Sequence, residues 1–76
     1  MTKFERDLML AFGLNHTQAR VAELLTKNPD SLAIAKLLNL QSTTVKGHIS
    51  AIYRKVYGEP KREMTDLVKR LNEIRN

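Results

Sequence analysis

Apolar residues along this 76-residue chain recur at helical spacing in five successive stretches, and two breaks, Asn28-Pro29-Asp30 and Gly58-Glu59-Pro60, punctuate them. Phe4, Leu8 and Phe12 return every fourth position with Ala11 alongside, which predicts a short amphipathic helix over 3–12 that stops at Gly13. Asn15 to Lys27 reads as a second helix. Asn15 can cap its free amides, Gln18 three residues on can return the bond, and Val21, Leu24 and Leu25 form the apolar stripe with Ala22 beside it. Ser31 to Leu38 is the third, with Asp30 or Ser31 as its cap and Ile34, Leu37 and Leu38 inward. The fourth starts at Gln41 or Ser42 and runs to about Tyr57, with Val45, Ile49, Ile52 and Val56 at i, i+4, i+7 and i+11 as one core stripe. The fifth spans roughly Met64 to Ile74, with Leu67, Val68, Leu71 and Ile74 inward. No stretch alternates strictly as a strand would, so the expected class is all-α.

A chain this short is one domain, and folding buries roughly 60% of the surface the unfolded chain exposes. A deep catalytic pocket would compete with that thin core for the same few side chains. The chain has no cysteine, so neither disulfides nor a cysteine-based zinc site is available, a composition that fits a reducing cytoplasm. The first apolar stretch, Leu8 to Leu14, is broken by Gly13 and follows Arg6 and Asp7. It is too short to span a membrane and lacks a signal-peptide pattern.

Charge changes the picture through its distribution. The net charge is +5, but residues 1–40 hold five Lys/Arg against four acids, whereas residues 41–76 hold eight against four. From Gln41 to Gly58 there is no acid at all. An acid-free basic element beside a nearly neutral half suits a surface that faces phosphates, although a solvated basic face has the same composition.

That element follows a tight break around Asn39, so the third and fourth helices read as a helix-turn-helix. With the core stripe turned in, Thr43, Lys46, Gly47, Ser50 and Arg54 share an outward face. Lys46 can donate to guanine acceptors or to a phosphate, and Thr43 and Ser50 are short groups suited to phosphates or water-bridged contacts. Arg54 and Lys55 sit where a groove wall would pass, and the helix N-terminus offers free amides to a phosphate. Gly47 costs the helix about 1 kcal/mol relative to alanine, to be explained by close approach to DNA or by close packing against another helix.

The runs Leu14-Asn15-His16-Thr17-Gln18-Ala19-Arg20-Val21-Ala22-Glu23-Leu24-Leu25 and Ile34-Ala35-Lys36-Leu37-Leu38, then Thr44-Val45-Lys46-Gly47-His48 with Ile52, Lys55 and Val56, resemble the LuxR/NarL (GerE-type) DNA-binding domain. The resemblance covers about residues 14–75. It implies a four-helix helix-turn-helix bundle over 14–76, with residues 1–13 as an extra N-terminal helical extension. It further implies that Thr44 and Lys46 face the phosphates and the groove, that positions 47 and 50 help to read bases, and that the last helix forms a dimer contact. The chain departs from the family pattern in the Asn15-His16-Thr17-Gln18 opening, in Ala33 before Ile34, and in Gln41 where a serine usually caps the recognition helix. Gly47 and Ser50 are short for base readout, and these 76 residues hold no receiver or ligand-binding domain of the kind that family usually carries.

The expected function is that of a small stand-alone transcriptional regulator that binds duplex DNA, recognition helix about 42–57, as a cytoplasmic homodimer. The alternative is an anti-activator or co-regulator that binds a full-length regulator or RNA polymerase through protein contacts, which the short readout residues and missing sensor would suit. A relative of the C-terminal helix-turn-helix of sigma factors shares the fold and fits Thr44–His48 less well. No enzyme is expected, since no base is placed to activate Ser42, Thr43 or Thr44. No metal or cofactor is expected either, because His16 and His48 have no ligands at suitable spacing. His48 reads as packing at the core edge or capping a phosphate. Tyr53 and Tyr57 read as DNA contacts or as core-edge residues, and Lys69, Arg70 and Arg75 as nucleic-acid contacts or a solvated face. Leu67, Leu71 and Ile74 carry the expected dimer interface, with Leu71 exposed until a second copy covers it; the competing expectation is that Phe4, Leu8 and Phe12 cover the stripe within one chain.

Overall fold

The computed structural model describes residues 1–60 and 63–75; Lys61 and Arg62, which contribute to the basic C-terminal half, and Asn76 lie outside them. Five α-helices follow in order, α1 (Lys3–Phe12), α2 (His16–Lys27), α3 (Ser31–Leu38), α4 (Ser42–Tyr57) and α5 (Met64–Arg75), and the described residues contain no strand. The chain is all-α, and no helix among these residues is long and apolar enough to cross a membrane.

Local chemistry sets the helix limits. At α1 the Thr2 hydroxyl accepts from the Glu5 N–H at 3.0 Å, while the Glu5 carboxylate accepts from the Thr2 N–H at 2.6 Å. At α2 Asn15 and Gln18 exchange the same pair of bonds at 2.8 and 3.0 Å. Each capping box satisfies two amides that would otherwise lack partners. Asp30, rather than Ser31, caps α3 by accepting from the Leu32 N–H at 3.0 Å. The helix then ends on Asn39 at φ 57°, in the left-handed region that asparagine tolerates better than most residues. The Leu40 N–H closes that turn on the Ala35 carbonyl at 2.9 Å. Three residues therefore join α3 to α4.

The core is one cluster drawn from all five helices, with Leu8, Val21, Leu25, Val45, Ile52, Leu67 and Leu71 fully buried. Three details depart from the sequence pattern. Leu37, expected inward, is 69% exposed, and Ala35 takes the buried place between Ile34 and Leu38. On a helix advancing about 100° per residue, Ala35 falls within the arc that faces α4, while Leu37 falls outside it. Leu24 is only partly buried. Finally, the N-terminal extension packs into the core, Phe4 and Leu8 of α1 belonging to the same cluster as the other helices.

Glu5 is the one carboxylate buried in that core region, with 5% of its surface exposed. The amide and hydroxyl of Thr2 hold its pKa below the ordinary glutamate value against the opposing effect of burial, with His16 and the N-terminus assisting. Its His16 and Arg20 neighbours stand at 3.9 Å from Oε2. A folded pKa below the unfolded one means stability that is fully present above the ordinary value and lost as the pH falls through the folded value. Wild type should therefore melt above Glu5→Gln near neutral pH, and the gap should close in acid; thermal melts of both proteins from pH 7 to pH 3 measure it.

Candidate nucleic-acid interface

The longest helix, α4, turns Val45, Ile49, Ile52 and Tyr53 into the core and leaves Thr43, Thr44, Lys46, Gly47, Ser50, Arg54 and Lys55 exposed. By helical geometry Thr43, Lys46, Gly47, Ser50 and Arg54 share one face, with Thr44 and Lys55 roughly a third of a turn away on its flank. A Cβ added at Gly47 would meet no atom within 4 Å, which removes close packing against another helix as the reason for that glycine. The face is flat and uncrowded at its centre, with cations on either side.

The first turn of α4 is electrostatically open. The Gln41 side chain makes no capping bond, so the leading amides of the helix carry no side-chain partner from it. Beside that face, Ser31 at the amino end of α3 lines a shallow cleft of about 330 Å³ together with Lys46, Ile49, Ser50 and Tyr53. Asp30 already caps that end of α3 with its carboxylate, so the groups that favour an anion along this edge are Lys46 and the uncapped amino end of α4.

Lys55, read from the sequence as lying where a groove wall would pass, is exposed on the flank of α4, and its ammonium donates to the Gly13 carbonyl at 2.8 Å, which ties α4 to the turn after α1. The tyrosines turn away from the outward face. The Tyr57 hydroxyl donates to the Asp66 carbonyl at 3.0 Å, and the Tyr53 hydroxyl lies 4.0 Å from the Met64 sulfur, both joining the end of α4 to the start of α5. Burial pushes the Tyr53 phenol above its usual pKa, so it stays neutral at physiological pH. His48 is half-buried at the core edge.

The expected dimer stripe is corrected. Leu67 and Leu71 are 0% exposed in the single chain and Ile74 is half-buried, because α1 packs its Phe4 and Leu8 into the same cluster. Two cations of α5 hold that lid. The Arg75 guanidinium lies 4.1 Å from the centre of the Phe4 ring and donates to the Thr26 hydroxyl at 3.2 Å. Arg70 lies 5.2 Å from the centre of the Phe12 ring and pairs with Glu73 at 2.8 Å. Leu67 and Leu71 are thus absorbed within the chain, while Val68 and Ile74 stay half-buried.

No cluster of three potential metal-ligating side chains occurs among the described residues. Glu5 was missed by the sequence reading, although Thr2-Lys3-Phe4-Glu5 has the spacing of a capping box and signalled it. The clamps made by Arg70, Arg75 and Lys55 had no such signal, since each joins helices far apart in sequence. No family model matches the chain, and no curated protein or solved structure does so either.

Proposed function

We propose that the chain binds duplex DNA through a helix-turn-helix made of α3 and α4, as a small regulator of transcription of the LuxR/NarL type. The observation that carries this reading is the exposed, acid-free face of α4. Lys46 and Arg54 flank a centre made only of Thr43, Gly47 and Ser50, on a helix that a three-residue turn sets against a shorter one. Such a face can lie deep in the major groove, because nothing at its centre stands between the helix backbone and the bases.

The division of labour follows from side-chain reach. Lys46 and Arg54 make the charged contacts, with Thr43, Thr44 and the amino end of α4 on phosphates. Ser50 and the Gly47 backbone make the closest approach to base edges, partly through water. Short groups carry little direct base discrimination, so specificity is modest and affinity is dominated by the backbone. With Leu67 and Leu71 covered by α1, one chain occupies one site, without the α5-mediated two-fold dimer. Selection of bound duplexes from a random pool tests the reading: a short enriched motif without two-fold symmetry is expected, whereas a pool that enriches nothing removes sequence-directed binding.

A further inference from the structure

Leu37 is among the most exposed large apolar side chains of the protein, and it is not isolated. Together with Ala33 and Ile34 of α3 and Leu24, Lys27 and Asn28 at the end of α2, it lines a cleft of about 190 Å³. The floor is aliphatic, the size suits one large side chain, and one wall is a leucine left 69% exposed. Leu32, also exposed, projects from the other edge of α3 and takes no part.

The charge around the cleft identifies its occupant. Lys27 stands in the lining, exposed and without a carboxylate partner among the described residues. Arg20 lies one turn before Leu24 on the same side of α2, 3.9 Å from the buried Glu5. The two acids nearby are already engaged: Glu23 accepts from the Thr2 hydroxyl at 3.2 Å, and Asp30 caps α3. An apolar slot with an unpaired lysine at its lip complements a helix that offers a leucine beside carboxylates.

We propose that the cleft between α2 and α3 docks an acidic amphipathic helix of another protein, its leucine seated between Leu24 and Leu37 and a carboxylate beside it on Lys27. The cleft shares no lining residue with the one beside Lys46 and Ser50. The proposal stands whether or not the DNA reading does.

The test uses the full chain and a synthetic helical peptide of about 14 residues with leucines at i, i+3, i+4 and i+7 and glutamates elsewhere, labelled for fluorescence anisotropy. Saturable binding below about 1 mM is expected, with amide shifts centred on Leu24, Lys27, Ala33 and Leu37. Leu37→Ser and Lys27→Glu should each weaken it at least about tenfold without lowering the melting temperature, since both side chains are exposed. Lys46→Ala should leave it unchanged. Four results would overturn the proposal: absence of saturable binding, shifts confined to α4, equal binding of a peptide with its leucines replaced by alanine, or self-association of the free chain that Leu37→Ser abolishes. The last would make a second copy the occupant.

Discussion

Replacing Lys46 and Arg54 together by glutamate should weaken binding to duplex DNA by at least about a hundredfold while leaving the fold intact. Both side chains are exposed on α4 and neither takes part in the core. Each reversal removes a counterion-releasing contact and places a carboxylate against the phosphates, where like charges repel. The helix itself is little affected: a carboxylate at position 46 is near the favourable amino end, and one at position 54 near the unfavourable carboxyl end, each by a few tenths of a kcal/mol. Gel-shift titrations of wild type and the double variant, with melting curves for both, separate a lost surface from a lost fold. Unchanged DNA binding would remove α4 as the interface.

Leu71→Ala should cost about 2–5 kcal/mol, a large part of what a domain of this size has in total. Leu71 is fully buried in the cluster that α1, α2 and α5 share, so truncation leaves a cavity inside the core. Chemical denaturation followed by circular dichroism measures the loss. The same geometry gives a second reading of the variant. If α1 seals the stripe, wild type sediments as a monomer at micromolar concentration. Had Leu71 been a dimer contact, the wild type would sediment as a dimer, and Leu71→Ala would dissociate it without unfolding the protomer.

The sequence makes the helices legible because their limits are written in short-range chemistry. Asn15 with Gln18, Gly13, Asp30 and Asn39 each act on residues within a turn, and the boundaries they predict match those of the structure within a residue or so. The outward face of α4 is legible for a similar reason, since one stripe of four apolar residues determines what is left outside. What the pattern could not show is which apolar face meets which. Leu67 and Leu71 present the same stripe to a second chain as to α1, and only the fold of the chain puts Phe4 and Leu8 over them. Lys55 belongs with Lys46 by composition, yet it reaches a carbonyl 42 residues away. Leu37 fits the apolar stripe of α3 in sequence and leaves it in space, because the arc facing α4 is narrower than the run of apolar residues that supplies it.

The salt dependence of duplex binding tests the account most directly. Measured by anisotropy on a short labelled duplex between about 50 and 200 mM salt, log K for the wild-type chain should fall linearly with log salt. Two cationic phosphate contacts, from Lys46 and Arg54, with a smaller share from the amino end of α4, give a slope of about −2, and Arg54→Ala should reduce it by about one. A flat salt dependence, or a slope that Arg54→Ala leaves unchanged, would contradict the assignment of the α4 face to DNA.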